Sequence, residues 1–216
     1  MTELSTLGMG THGATWQAAG YAGAGSVSQY IGSLQGRPAL VAGGARGVFE
    51  EVLEVREHYG MELAIFAAND VGMYLDRLDH WCSLHADNLD GWKHARWLHN
   101  RGPEDVVIHS IDQKPSVHVV WKELRPVFAL SGYFAMQLAW IMGANPIILC
   151  GCPGGPMPRF FEAKPRSTFG YGGLASGADK GARQQVIDEM RRIPEFKVAV
   201  RSMSGWTQEF FGAPTW

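Results

Sequence analysis

The residues best suited to chemistry in this 216-residue chain follow short apolar segments. Gly43 and Gly44 come directly after the apolar residues 39–42, and a helical pattern begins at about Gly47. A strand, a glycine turn and a helix in this order leave backbone N–H groups at the positive end of the helix, where an anion can approach because glycine lacks a Cβ atom. Phosphate is the anion that such a turn favours. The residues predicted to contact it are Gly43, Gly44, Ala45 and Arg46, the last as a source of positive charge.

The motif GGARG matches neither of the familiar phosphate-binding fingerprints. It differs from the G-x-G-x-x-G of dinucleotide-binding folds and from the G-x-x-x-x-G-K-[ST] of P-loops. An ordinary strand-to-helix turn has the same composition, so the turn chemistry by itself leaves a phosphate site and a plain turn both open.

Polar residues also follow other predicted elements. Asn69 and Asp70 come directly after a second apolar run and are predicted to contact the base or ribose of a nucleotide, although both residue types are common turn formers. Ser131 and Gly132 begin a strongly apolar helix and supply a second helix N-terminus with a hydroxyl beside it. Tyr133, in the first turn of that helix, completes the predicted set of ligand contacts.

Two of the eight histidines are candidates for general acid–base catalysis. His85 and His109 are preferred because each is predicted at the end of a strand, where a histidine can equally be structural. His94 and His99 are five residues apart on a predicted helix and are poorly placed as a metal pair. Cys150 and Cys152 form C-x-C without a second pair, so no metal site is predicted.

These residues depend on alternating strands and helices for their positions. Strands are predicted at 39–42, 62–68, 80–84, 105–109, 117–121, 146–150 and 196–200. Helices are predicted from about residue 47, at 71–78, 88–100, 131–142, 180–193 and 204–212. The inner face of the helix at 88–100 is predicted to contain Leu89, Trp92, Ala95 and Leu98. This order predicts an α/β, Rossmann-like fold, with an open, mainly parallel sheet and helices on both faces. Ligands of such sheets bind at the carboxyl ends of the strands.

The chain is predicted to contain one domain and one extension. Residues 1–36 form a Gly/Ala-rich arm whose aromatic residues are too apolar for a solvated tail, so the arm is expected to pack on its own domain or on a second subunit of a homo-oligomer. Residues 37–216 form the single Rossmann-like domain. Its long loop, 151–180, carries basic and aromatic residues and is a candidate lid over an anionic ligand, although it could also be a loop without function.

Composition excludes several classes of protein. A formal charge of −2 gives no electrostatic basis for nonspecific binding to nucleic acid or to an anionic membrane. No apolar run approaches the roughly 18 residues of a transmembrane helix, and the first residues have neither a basic nor a hydrophobic segment. Three cysteines cannot form a disulfide framework. We therefore expect a cytoplasmic protein with neither nucleic acid nor a membrane as partner.

Three stretches taken together resemble a known superfamily. They are ALVAGGARG, FAAND and SGYFAMQLAWIMGANPIILCG. The pattern resembles the Rossmann-like domain shared by the 6-hydroxymethylpterin diphosphokinase-like proteins and the bacterial sialyltransferases of the α-2,3/2,8 type, over residues 38–151. The resemblance implies a nucleotide held by Gly43, Gly44, Asn69, Ser131 and Gly132. The segment SLHADNL is similar to the one after the third strand of the diphosphokinase-like group, with His85 at its polar end.

The chain departs from that superfamily at two places. Ala45-Arg46 replaces the Pro-Ser of the first turn, and Cys152-Pro153 stands where members often have an aspartate. Since Mg²⁺ prefers oxygen ligands, loss of that acid weakens the case for metal-assisted transfer. The resemblance favours a nucleotide-binding transferase that uses a nucleotide-activated sugar, with His85 deprotonating the acceptor. The alternatives are a Mg/ATP-dependent diphosphokinase-like enzyme and a non-catalytic binding or assembly protein that retains the fold.

Overall fold

The computed structural model describes residues 26–99, 101, 106–124, 130–154, 159–161, 187–188 and 190–216. Seven strands form one sheet. In chain order they are β1 (Ala39–Ala42), β2 (Ala64–Ala68), β3 (His80–Cys82), β4 (Val107–Ser110), β5 (Val119–Val120), β6 (Ile147–Cys150) and β7 (Val200–Ser202).

The sheet has the order β5-β4-β3-β2-β1-β6-β7, and every pairing is parallel. The predicted α/β, Rossmann-like fold is therefore confirmed. The chain builds outward from β1 to β5 and then crosses back to place β6 on the other side of β1. This reversal puts the switch point of the sheet between β1 and β6.

Five described helices cover the sheet. They are α1 (Val48–Tyr59), α2 (Leu89–Leu98), α3 (Ser131–Ile141), α4 (Glu195–Ala199) and α5 (Gly205–Phe211). The first of them buries Val48, Val52 and Val55, whose spacing places all three on one face. It begins after Gly47, whose φ of 88° lies in the left-handed region that favours glycine.

Two hydrophobic cores lie on opposite faces of the sheet, as expected for helices on both sides. Leu40 and Ala42 of β1 face the core that contains the buried residues of α1. Ala39 and Val41 face the core that contains α3. Nearly all side chains of α3 are buried, because it packs on the sheet and is itself covered by Leu34, Phe196 and other residues of the two ends of the described chain.

The described part of the predicted N-terminal arm, residues 26–36, packs on its own domain. Tyr30 and Ile31 pack against the core, and Leu34 is buried within it. Gly32 N–H donates to the Ile141 carbonyl at 3.1 Å, and Leu34 N–H donates to the Met142 carbonyl at 2.7 Å. These bonds tie the segment to the C-terminal end of α3. The rest of the arm, residues 1–25, lies outside the described residues, as does most of the predicted 180–193 helix.

The secondary structure of residues 195–199 differs from the sequence prediction. A strand was predicted at 196–200, but the chain forms α4 there and β7 begins at Val200. Phe196 and Ala199 are buried while Val198 is 73% exposed, which is the three-residue spacing of a helix. None of the helices in the described segments is long and apolar enough to cross a membrane.

Candidate functional site

The ends of β2 and β3 and the start of α3 meet at the carboxyl edge of the sheet. Ser83 Oγ donates to Asn69 Oδ1 at 2.8 Å, and Leu84 N–H donates to Ser131 Oγ at 3.1 Å. Each bond links a residue just after one strand to a predicted site residue on another element. Asn69, Ser131 and His85 are therefore brought to one edge, as chain order and parallel pairing require.

Asn69 serves the protein's own structure. Its φ of 59° lies in the left-handed region, which asparagine tolerates better than most residues. Its carbonyl accepts a hydrogen bond from Trp81 Nε1 at 2.6 Å, and its side-chain oxygen accepts the bond from Ser83. This conformation begins the 3-10 turn Asn69–Met73, which carries Asp70 towards the glycine turn.

We predict that Asn69→Ala lowers the free energy of unfolding by about 2 kcal/mol, because it combines left-handed strain with loss of a buried hydrogen bond. Asn69→Gly relieves the strain but still loses the bond, so it should cost less. Urea unfolding measures both. Asn88→Ala is the matched control, since Asn88 is exposed and its side chain makes no capping bond. Equal effects of the alanine and glycine changes would contradict the strain argument.

Gly43 makes room for the turn that follows β6. Its N–H donates to the Cys150 carbonyl at 2.7 Å, and Ala45 N–H donates to the Gly151 carbonyl at 3.1 Å. A Cβ atom on Gly43 would lie 2.5 Å from both Cys152 Sγ and the Gly151 oxygen. Gly43 is therefore required by the packing of the protein itself, and its predicted role as a ligand contact is not needed to explain it.

Two side chains of the protein, those of Cys152 and Glu51, lie at the switch point between β1 and β6. A Cβ on Gly132 would lie 3.2 Å from Cys152 Sγ, so that thiol lies close to both predicted helix starts. Glu51 Oε2 accepts a hydrogen bond from Gly151 N–H at 2.6 Å. Burial, with the Glu51 carboxylate as a second cause, raises the pKa of Cys152 to about 12, so the thiol stays neutral there.

Gly44 lies under a guanidinium group. A Cβ on Gly44 would be 3.0 Å from one terminal nitrogen of Arg159 and 3.3 Å from its Cζ. Arg159 also forms an ion pair with Asp70. Its segment is held to the turn by a bond from Phe160 N–H to the Gly44 carbonyl at 3.0 Å and by an antiparallel bridge between Ala45 and Arg159.

Arg159 was not among the site residues predicted by number. The only sequence signal for it was the basic and aromatic composition of the 151–180 loop, most of which lies outside the described residues. In the structure, aromatic rings surround its segment. Phe160 lies 5.4 Å from Phe49 and 5.3 Å from Tyr74 between ring centroids, and the Arg159 guanidinium lies 5.2 Å from the centroid of Phe161.

The remaining predicted contacts separate into exposed and buried residues. Arg46 is exposed on the turn, while Ser131 and Tyr133 are buried. The Tyr133 hydroxyl would lie 2.9 Å from a Cβ on Gly154, so it faces the segment after β6. The structure therefore places Tyr133 in the packing between α3 and that segment.

The two predicted catalytic histidines have different surroundings. His85 is exposed, and within the described residues its imidazole has no hydrogen-bond or ion-pair partner. His109 lies in β4, one residue before its end, and is fully buried. Because both ring nitrogens of His109 are hydrogen-bonded within the protein, we do not propose His109 as a general base.

His109 belongs to a buried hydrogen-bonded chain that sequence reasoning missed. Trp121 Nε1 bonds His109 Nδ1 at 3.1 Å, and His109 Nε2 bonds His80 Nδ1 at 3.0 Å. Because an indole can only donate, His109 Nδ1 accepts, and the neutral ring carries its proton on Nε2. Burial lowers the pKa of His80 to about 4 and that of His109 well below its ordinary value.

No group of three or more His, Cys, Asp or Glu side chains within the described segments is arranged to hold a metal ion. Asp70, which follows β2, is paired with Arg159.

Comparison with known proteins finds distant structural similarity alone. The sequence matches no protein-family model, and no curated protein matches it significantly. Among solved structures, its fold is similar to that of a MAf glycosyltransferase from Magnetospirillum magneticum AMB-1, with a TM-score of 0.40 and 12% sequence identity. The similar region covers 62% of this chain and 26% of the glycosyltransferase, so this chain spans about a quarter of that protein. A similarity this distant does not extend to activity.

Proposed function

We propose that this protein is a nucleotide-binding transferase that acts on a nucleotide-activated sugar. The observation that carries the proposal is the position of Arg159, whose guanidinium lies over Gly44 at the start of α1 and is paired with Asp70. An arginine over a glycine turn at the N-terminus of a helix is suited to the phosphates of a nucleotide.

The proposed phosphate site uses the glycine turn from Gly44 to Arg46 and the start of α3. Gly44 makes room for the Arg159 guanidinium, Arg46 and Arg159 supply positive charge, and Ser131 and Gly132 begin the second helix. As the sugar leaves the nucleotide, negative charge builds up on the phosphate, and these groups stabilise it.

His85 is the proposed general base. In the transfer step the acceptor hydroxyl attacks the anomeric carbon, the bond from that carbon to the phosphate oxygen breaks, and His85 takes the hydroxyl proton. An exposed imidazole with no protein partner among the described residues is suited to receive it. The nucleotide leaves with the electron pair of the broken bond.

The proposal is tested by the melting temperature of the protein with CMP, CDP, UDP, GDP and ATP, each with and without Mg²⁺. A nucleotide that binds the folded state adds about 2.7 kcal/mol of stability when its concentration is a hundred times the dissociation constant. This added stability raises the melting temperature. A rise with at least one nucleotide is expected. If none raises it, the proposal is wrong; a rise only with ATP and Mg²⁺ would favour a diphosphokinase-like activity instead.

A second prediction concerns the base. We expect His85→Ala to lower the rate of sugar transfer or of nucleotide-sugar hydrolysis about 100-fold while leaving nucleotide binding unchanged, because general-base catalysis typically contributes 10²–10⁴-fold. Kinetics with the nucleotide sugar that binds best measure the loss. His94→Ala is the control, since His94 is also exposed but lies on α2, stacked on Trp97. Full activity of His85→Ala would exclude His85 as the base.

A non-catalytic binding or assembly protein is the second candidate. The observation in its favour is that Cys152 Sγ packs close to Gly43 and Gly132 at the switch point, where Glu51 is bonded to Gly151 N–H. The nucleotide panel separates the two candidates, because this one predicts no rise in melting temperature with any nucleotide.

A further inference from the structure

We propose that Arg159 and Asp70 form an exchangeable pair, in which the diphosphate of a ligand replaces the Asp70 carboxylate on the Arg159 guanidinium. The ion pair then marks an anion site that is occupied by an internal carboxylate when no ligand is bound. This inference deepens the proposed function and rests on it only for the identity of the nucleoside.

The Arg159 guanidinium occupies the space next to Gly44. The backbone of Gly44 is not in the left-handed region, so backbone conformation does not require a glycine there. The Arg159 guanidinium lies next to it instead: a Cβ on Gly44 would lie 3.0 Å from a terminal nitrogen of Arg159, so an alanine there would displace the guanidinium slightly. The Arg159 guanidinium therefore packs directly against the turn that precedes α1.

The position of Arg159 does not depend on Asp70 alone. The bond from Phe160 N–H to the Gly44 carbonyl and the bridge between Ala45 and Arg159 hold the backbone, and Phe160 packs against Phe49 and Tyr74. These contacts persist if Asp70 is displaced. The guanidinium would then remain over the turn while its anionic partner changes.

The pair is chemically suited to exchange. A guanidinium binds carboxylate and phosphate oxygens with the same planar geometry, and a diphosphate offers more charge and more oxygens than one carboxylate. The side chains of Arg159 and Asp70 are 19% and 13% exposed, so solvent reaches both. Asp70 lies on the short turn Asn69–Met73 rather than inside a strand, which lets its carboxylate move aside.

The opposite arrangement is a fixed tie, in which Asp70 must hold Arg159 for the site to exist. The two arrangements predict opposite signs for Asp70→Asn. Under exchange, removing the competing charge tightens anion binding. Under a fixed tie, it releases the arginine and weakens binding.

The experiment is calorimetric titration of inorganic pyrophosphate at low ionic strength into the wild type, Asp70→Asn, Asp70→Ser and Arg159→Gln. Exchange predicts that both Asp70 variants bind pyrophosphate about five-fold more tightly, which is the scale of a partly exposed ion pair, and that Arg159→Gln binds at least ten-fold more weakly. Asp76→Asn is the matched control, because Asp76 pairs with Arg101 at 3.0 Å away from the glycine turn, and its affinity should equal that of the wild type.

Unchanged or weaker binding by both Asp70 variants, with unchanged melting temperatures, would overturn the exchange, and so would the absence of pyrophosphate binding to every variant. The nucleotide panel is read separately. If a nucleotide binds but Asp70→Asn does not tighten pyrophosphate, the exchange is wrong and the proposed function stands. If pyrophosphate behaves as predicted but no nucleotide binds, the anion site stands and the transferase proposal is wrong.

Discussion

Acidification from pH 7.5 to 4.5 is expected to lower the free energy of unfolding by about 2–3 kcal/mol through His80, because one unit of pKa shift corresponds to 1.36 kcal/mol. Burial lowers the pKa of His80 to about 4 in the folded protein, against its ordinary value of 6.5. The unfolded chain therefore takes up a proton before the folded one does. The contribution of His80 to the free energy of unfolding is complete above about pH 6.5 and is lost as the pH falls from there towards 4.

His109 adds to this loss in the same direction. Burial and the neighbouring His80 and His118 lower its pKa well below the ordinary value. For His80, Asp79 opposes the effect of burial and Arg37 adds to it. Because Tyr30 packs edge-on against both rings, at centroid distances of 6.5 and 5.4 Å, the N-terminal segment is expected to loosen when they are protonated.

Urea unfolding at pH 7.5, 6.0, 5.0 and 4.5 measures the loss, and His80→Asn tests its source. Asparagine keeps an acceptor near the position of Nδ1 but does not titrate, so this variant should be less stable at pH 7.5 and should lose less stability with acid. His94→Asn is the control, since His94 is exposed, and its pH dependence should match the wild type. An unchanged slope in His80→Asn would contradict the assignment.

Gly43→Ala is expected to destabilise the protein by about 2–3 kcal/mol, the upper range for overpacking a filled interior. The added Cβ would lie 2.5 Å from the Gly151 carbonyl oxygen, a backbone atom that also accepts the Ala45 N–H bond and cannot move without disturbing the β6 turn. Gly44→Ala should cost less than 1 kcal/mol, because the atoms it meets are the far end of the flexible Arg159 side chain.

Gly91→Ala is the matched control for both glycine changes. Gly91 lies within α2, and a Cβ there would have no atom within 4 Å, so alanine should stabilise the protein by about 0.5–1 kcal/mol. Chemical unfolding of the three variants gives the order Gly91→Ala, Gly44→Ala, Gly43→Ala from most to least stable. If Gly43→Ala is as stable as Gly44→Ala, the close packing against the β6 turn is not the reason for Gly43.

Local patterns in the sequence were sufficient for most of the fold. β1 and β6 are short apolar runs bounded by glycine or proline, and their predicted ranges match the structure to within one residue. Leu98 of α2 is a residue whose burial such patterns predict incorrectly. It was predicted on the inner face but is 61% exposed, while Arg96 is buried and donates to the carbonyls of Gly72 and Leu75. Hydropathy does not anticipate a buried arginine, because distant carbonyls supply its partners.

The residues that reach the carboxyl edge of the sheet can be predicted from chain order. Chain order and parallel pairing are enough to place the GGARG turn, Asn69, His85 and Ser131 there, because each follows a strand or begins a helix at that edge. The contacts that those residues make depend on tertiary packing. Arg159 over Gly44, Cys152 against Gly43 and the bond between His80 and His109 each join segments far apart in the chain. Such contacts depend on strand register and on how a returning segment packs, which the local periodicity of a sequence does not encode.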